Sequence, residues 1–225
     1  MLCDDLEAPF LKESARRMRT VYREAEGRSY GDAEVHEKLQ PYCFWQNRYI
    51  LAQSMFIKLG EQMGYDARIH TCETNGFPIP IVKIGRFFFT IHHSSQADEE
   101  RVRSSSLIRQ QCSGVNFSLI QPGLFEPKID ESELLRAEKI YGNIIFGTRP
   151  GTTDFVTFGF VQVAVPFVKT ITNKKGEETQ QLQYVARINI NNLLDMMAQR
   201  ETAKRAAQPR LKAAEPKLKT GTEDK

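Results

Sequence analysis

A chain of 225 residues with 40% hydrophobic and 26% charged side chains has the size and composition of a globular protein with one sizeable core or two small ones. No stretch approaches the roughly 20 consecutive apolar residues of a membrane span, and the acidic start resembles no signal peptide. We therefore expect a cytoplasmic protein without a membrane partner. The formal net charge is +3, but residues 200–225 hold eight Lys and Arg against four acids. The remainder is slightly acidic, which argues against a uniformly basic domain that coats nucleic acid.

The first 64 residues carry helical patterns. Pro9 suits the first turn of a helix, and an apolar stripe follows at helical spacing: Leu11, Ala15, Met18, Tyr22 and Ala25. Beside it runs a basic stripe of Lys12, Arg16, Arg19 and Arg23, with the acids of this segment on other faces. Asp32 is placed to cap a short helix over residues 33–39 that Pro41 stops.

The third helix shows the clearest apolar face of the chain. Its members are Trp45, Tyr49, Ala52, Phe56, Leu59 and Met63, and Gly64 follows as a C-terminal cap. Ile50, Leu51 and Ile57 widen this face. We therefore expect a largely buried helix.

Residues 65–190 switch to the two-residue period of strands. Strands are predicted over 67–73, 81–84, 87–92, 115–120, 143–146, 155–168 and 182–190, and Gly85-Arg86 fits a two-residue hairpin turn. A helix starting at Asn191 or Asn192 then leads into the basic segment 200–225, which we expect to be largely disordered beyond about Gln208. The pattern predicts a single α+β domain over 1–199, with N-terminal helices packed on a mainly antiparallel sheet of about six strands.

A set of histidines and cysteines has the residue types of a zinc site. His70 and Cys72 share one face of a predicted strand, and His92, His93 and Cys112 follow. The predicted hairpin puts His70 near the row of Ile84 and Phe87, however, and His92 at the far end of its strand. That separation is too large for shared coordination, so we expect no metal, and the four cysteines without a CxxC pair are expected to be reduced thiols.

Motifs of enzymes are not evident. The sequence has no GxGxxG, Walker loop, GxSxG or HExxH, so we expect no cofactor and assign no catalytic residue. Glu73 and Lys83 match a nuclease carboxylate–lysine pattern poorly. A divergent metal-dependent nuclease is therefore kept only as an alternative.

Localised basic residues are the strongest candidates for binding. The basic stripe on one helical face can meet phosphates or an acidic partner, although a solvated face beside a buried stripe is the more ordinary explanation. The further candidates are Arg149, in the turn Gly147–Gly151, and four residues near the C-terminus: Lys204, Arg205, Arg210 and Lys212.

The middle half of the chain resembles a pattern found in uncharacterised bacterial and prophage proteins, some of which accompany regulator or toxin–antitoxin genes. The segments concerned are Phe77–His92, Gly123–Pro127, Asn143–Gly147 and Val165-Pro166. The resemblance transfers no catalytic residue and implies a regulatory, mobile-element setting. We expect a non-enzymatic interaction protein of the antitoxin, immunity or accessory-factor type. A protein partner is favoured, with contact area from strand edges or from Phe87–Phe89. DNA or RNA binding is the alternative, and the oligomeric state is left open.

Overall fold

The computed structural model describes residues 6–71, 76, 78–94, 113–121, 128–129, 133, 136–148, 156–172, 176 and 178–213. Within these residues the chain forms three α-helices and one large sheet. The helices are α1 (Ala8–Tyr30), α2 (Gln40–Gln62) and α3 (Ile190–Ala213). None of the described helices combines the length and the apolarity needed to cross a bilayer.

Six strands form the large sheet in the order β1-β2-β3-β6-β7-β8, and β4 and β5 form a separate two-stranded ladder. The α+β class and the mainly antiparallel sheet of about six strands are thereby confirmed. The bounds are β1 (Asp66–Thr71), β2 (Pro78–Ile84), β3 (Phe87–Ser94), β4 (Ile120–Gln121), β5 (Lys128–Ile129), β6 (Ile140–Thr148), β7 (Phe158–Thr172) and β8 (Glu178–Asn189).

One pair of strands in the middle of the sheet is parallel. β3 and β6 run together from Phe87 opposite Ile140 to Ser94 opposite Gly147, while the other described pairs are antiparallel. All nine residues of β6 are buried, because the sheet is covered on both faces at this strand. The carboxyl ends of β3 and β6 therefore meet at the same edge of a buried sheet.

The first helix packs as its sequence predicts. Leu11, Met18, Tyr22 and Ala25 are buried in the core, and Ala15 is partly buried against it. The predicted hairpin is also confirmed, since Ile84 lies opposite Phe87 and Gly85 has φ of +57°. That dihedral is one that only glycine adopts easily.

The prediction that Pro41 stops a helix over residues 33–39 was wrong. Only Glu37–Leu39 forms a 3-10 turn, and Pro41 lies in the first turn of α2, which begins one residue earlier at Gln40. Proline is tolerated there because the first N–H groups of a helix have no partner within it. Asp32 accepts a hydrogen bond from the N–H of Glu34 (2.9 Å) instead of capping a helix.

Two later expectations also differ from the structure. Residues 115–120 were predicted as a strand, but Gly114–Leu119 is a 3-10 helix and only Ile120–Gln121 is extended. The basic segment was predicted to be largely disordered beyond about Gln208, whereas α3 continues to Ala213, through Pro209. Residues 214–225 lie outside the described part of the chain.

Candidate binding surfaces

The basic stripe of α1 lies at the surface. Lys12, Arg16, Arg19 and Arg23 are all exposed, and we call them the basic face. Arg16 is held by Glu13, with Nε and Nη2 donating to the carboxylate at 2.8 and 2.6 Å. Glu13 was predicted to point elsewhere, yet it reaches Arg16 because residues three apart are neighbours on a helix.

Glu13 also accepts a hydrogen bond from Arg17 Nε at 2.7 Å. The hydrogen bonds from Arg16 and Arg17 lower the pKa of the Glu13 carboxyl to about 2, and the same contact raises the pKa of Arg16. One acid therefore offsets part of the charge at the N-terminal half of α1. Within the described part of the chain, Lys12, Arg19 and Arg23 have no such carboxylate partner.

Arg19 and Arg23 line a cleft of about 440 Å³ between α1 and the start of β7. The other walls are Tyr22, Glu26 and the segment Val156–Gly159. We call this space the arginine cleft. The sequence predicted its two cations but not the cleft, since the opposite wall lies more than 130 positions further along the chain.

A third guanidinium lies behind the wall of the arginine cleft. Arg48 of α2 is 3% exposed and stacks between the rings of Tyr22 and Phe44, with Cζ 5.2 Å from each ring centroid. Burial lowers the pKa of Arg48 and raises the pKa of Tyr22 to about 12, so Tyr22 is a neutral phenol at physiological pH. Arg48 is therefore a third guanidinium near Arg19 and Arg23, separated from the cleft by the Tyr22 ring.

The arginine cleft lies beside the carboxyl ends of the parallel strands. The ring of Phe146 is 6.3 Å from Tyr22 and 5.5 Å from His93, and Thr148 at the end of β6 pairs with Phe158. This edge gathers side chains from α1, β3, β6 and β7. Arg149, the next residue after β6, lies outside the described residues.

A second groove of about 300 Å³ separates α1 from α2. Arg16, Arg17 and Lys58 line it together with Glu24. The two arginines already bind Glu13, and Glu24 is an ion-pair partner of Arg28 at 3.9 Å. The arginines of this groove are therefore engaged by Glu13, whereas Arg19 and Arg23 have no carboxylate partner among the described residues.

An exposed row of aromatic residues marks the N-terminal half of α2. Tyr42 is 71% exposed and Trp45 55%, and the Trp45 ring stacks on Tyr49 with centroids 6.1 Å apart at 8°. We call these three residues the aromatic ridge. Leu39 and Ile50, which are 55% and 62% exposed, extend the apolar surface of the same segment.

Sequence periodicity had placed Trp45, Tyr49 and Ile50 on a buried face. The residues that enter the core are Phe44, Arg48, Ala52, Phe56 and Leu59, a face that starts one position earlier. The sequence pattern did not indicate this face as buried, because it contains the charged residue Arg48. The predicted contact region Phe87–Phe89 was also wrong as a surface, because Phe87 and Phe89 are buried and Phe88 is partly buried against Tyr141.

His70 does not occupy its predicted row, whereas His92 lies near the far end of its strand, as predicted. His70 lies opposite Ile79 rather than near Ile84 and Phe87, and it is exposed on the outer strand β1. His92 is buried in β3. Cys72 and Glu73 lie outside the described residues, and Lys83 is exposed on β2. In the described segments, no three His, Cys, Asp or Glu side chains come together in a metal-binding group.

His92 belongs instead to a buried polar cluster on the parallel strands. The Thr90 hydroxyl oxygen lies 2.7 Å from His92 Nε2, 2.7 Å from the Tyr141 hydroxyl and 2.9 Å from Asn143 Oδ1. A hydroxyl has one proton, which Thr90 donates to Asn143. Tyr141 and His92 Nε2 are therefore donors to Thr90. All four side chains are buried, so the cluster joins β3 to β6 and offers no surface to a partner.

The four C-terminal candidates fall within the last helix. Positions 204, 205, 210 and 212 lie within α3, so Lys204, Arg205, Arg210 and Lys212 belong to a helical segment of the backbone.

Comparisons of the chain with protein-family models, with curated proteins and with solved structures find no match in any of the three.

Proposed function

We propose that the chain is a non-enzymatic interaction protein of a regulatory type, like an antitoxin, immunity protein or accessory factor, and that it binds a protein partner. The observation that carries this proposal is the aromatic ridge on α2, together with Leu39 and Ile50. Four large apolar side chains from one short segment are more than half exposed. Clustered exposed apolar surface is typical of protein interaction sites.

The chemistry of this segment favours a protein over a nucleic acid. Between residues 39 and 50 the only charged residue is Arg48, which is buried. Nucleic acid binding requires cations that meet the phosphates beside any stacking platform, and the aromatic ridge has none in its own segment. Trp and Tyr are the residues that contribute most often to binding energy at protein interfaces.

The test compares two variants that remove exposed apolar side chains. The double variant Tyr42→Ser/Trp45→Ser removes most of the ridge, and Met196→Ser removes a 48% exposed residue of α3 as the control. A partner captured from host extract by wild-type protein is purified and titrated against all three by calorimetry. We expect the ridge variant to bind at least about 30-fold more weakly, because the loss of an anchor residue costs ~2 kcal/mol or more of binding free energy. The control should bind with the affinity of the wild type.

Circular dichroism and thermal unfolding establish that both variants are folded. Equal affinities of the ridge variant and the control would contradict the proposal. Concentration-dependent dimerisation that the ridge variant abolishes, with no other partner, would show a second copy as the occupant and contradict a heterologous partner.

Nucleic acid binding through the basic face is the second candidate function. Lys12, Arg19 and Arg23 favour it, because they are exposed without a carboxylate partner among the described residues. They lie on α1, apart from the ridge on α2. The two candidates can therefore be separated by substitution.

A further inference from the structure

We propose that the arginine cleft binds a small ligand that carries a phosphate group, with the phosphate between Arg19 and Arg23 and an apolar body against Val156 and Phe158. This site is on the other side of α1 from its groove with α2, and it does not depend on the aromatic ridge. Its chemistry follows from the charge and the shape of the cleft.

The charge balance of the cleft calls for an anion. Arg19 and Arg23 are one helical turn apart, a spacing that puts their Cβ atoms about 6 Å from each other. Each guanidinium has a planar fork of donors, and two forks can bracket one phosphate. Among the described residues that line the cleft, Glu26 is the one acid, and buried Arg48 lies behind Tyr22. Two lining arginines against one carboxylate leave the described part of the cleft with a net positive charge.

The shape of the cleft fits a ligand larger than a free anion. About 440 Å³ falls in the range of small-molecule sites, roughly 300–1,000 Å³. Its floor is apolar, since the partly buried Val156 and Phe158 line it, and the Phe158 ring packs edge to face on the buried Tyr22 ring at 5.4 Å. A phosphate ester with a ring or chain beside the phosphate can use both parts of this surface.

Substitution of Glu26 should change the affinity for an anion in the opposite direction to substitution of the arginines. The Glu26 carboxylate shares the cleft with Arg19 and Arg23 and repels a bound anion. Removing its charge is expected to strengthen anion binding, while removing either arginine weakens it. A purely structural role for these residues would not produce changes in opposite directions.

The experiment is a calorimetric titration of the full chain with phenyl phosphate, inorganic phosphate and phenol. Wild-type protein is expected to bind phenyl phosphate most tightly, because only this probe has both the anion and the ring. Arg19→Ala and Arg23→Ala should each weaken it about tenfold or more, the size of a lost charge-assisted hydrogen bond. Glu26→Gln should tighten it several-fold.

Arg28→Ala is the matched control, since Arg28 is an exposed arginine of the same helix that pairs with Glu24 outside the cleft. It should change the affinity less than twofold. The variant Tyr42→Ser/Trp45→Ser should also bind phenyl phosphate normally, which separates failure of this site from failure of the protein partner.

Three results would overturn the proposal. They are a wild-type protein that shows no saturable binding of phenyl phosphate, equal affinities of Arg19→Ala and Arg28→Ala, and a weaker Glu26→Gln variant. An RNA oligonucleotide that binds through Arg19 and Arg23 when neither small phosphate does would assign the cleft to nucleic acid instead.

Discussion

Asn116 completes the hydrogen bonding between β6 and β7 at a position where proline interrupts it. The paired register ends at Asn143 opposite Ala164, and two residues beyond lie Tyr141 on β6 and Pro166 on β7. Proline has no N–H to donate to the next strand. Asn116 Nδ2 donates to the carbonyls of Tyr141 (2.8 Å) and Pro166 (2.7 Å), and its Oδ1 accepts from the N–H of Tyr141 (2.9 Å). The side-chain amide therefore substitutes for a peptide group.

We predict that Asn116→Ala lowers the free energy of unfolding by about 2–4 kcal/mol, because three hydrogen bonds are lost and buried backbone groups are left unpaired. Asn47→Ala is the control, since partly buried Asn47 donates a single bond to Ser29 Oγ at 3.0 Å. It should cost no more than ~1.5 kcal/mol. Urea unfolding of both variants measures the difference, and equal losses would contradict the role of Asn116.

The sequence could not reveal this role. Its alternating apolar residues, Val115, Phe117 and Leu119, predict a strand, in which Asn116 is an ordinary polar position. The two carbonyls that it satisfies lie 25 and 50 residues away. Only the folded sheet brings them together with the 3-10 helix.

At the scale of the elements, periodicity predicted the existence and the end of α2, whereas tertiary contacts determine which of its faces is buried. The helix ends near Gly64, as predicted, and Gly64 adopts φ of +77°. The buried face was predicted from Trp45, one position too late, because a buried arginine is unusual. Arg48 enters the core since the rings of Tyr22 and Phe44 enclose it. Those rings belong to two helices, a fact beyond any local pattern.

Gly60 allows the C-terminal part of α2 to approach the sheet closely. A Cβ at this position would lie 2.9 Å from Val82 Cγ1 and 3.0 Å from Ala67 Cβ, closer than ordinary van der Waals contact. A Cβ at Gly27 in α1, by contrast, would meet nothing within 4 Å. Gly60 and Gly27 are therefore a matched pair of test positions in neighbouring helices, one without space for a methyl group and one with it.

We predict changes of opposite sign for the two Gly→Ala variants. Gly60→Ala should lower the free energy of unfolding by about 1–3 kcal/mol through overpacking. Gly27→Ala should raise it by about 0.5–1 kcal/mol, because alanine has the higher helix propensity and space is available. Chemical denaturation measures both. Destabilisation by Gly27→Ala, or none by Gly60→Ala, would show that the helix–sheet distance is not set by Gly60.

For the whole molecule, the fold class was predictable but the assembly of the candidate sites was not. Hairpin turns and two-residue periods indicated antiparallel strands, whereas the parallel pair β3–β6 joins residues about 50 positions apart. The arginine cleft depends on this long-range order, since Arg19 and Phe158 come from elements far apart in the chain. The sequence predicted the two arginines, but it did not predict the cleft wall that faces them.

Clustered positive charge occurs in α1 and in the C-terminal segment. Residues 1–199 carry 23 basic and 24 acidic side chains, so any attraction to nucleic acid must come from local clusters rather than from net charge. Among the described residues of the body, the basic face of α1 is such a cluster. Substituting its charges tests the second candidate function without removing the C-terminal segment.

The variant Lys12→Glu/Arg19→Glu/Arg23→Glu should abolish most RNA or DNA binding, if the basic face is the site. The control Arg28→Glu/Lys38→Glu/Arg68→Glu reverses three exposed cations outside that face, with the same change in net charge. Each phosphate contact contributes about 0.9 to the slope of log affinity against log salt for duplex DNA, so the first variant should flatten the slope by up to about 3. Fluorescence anisotropy at several salt concentrations measures it. Equal slopes for the two variants would assign the attraction to net charge alone and remove nucleic acid binding by the basic face.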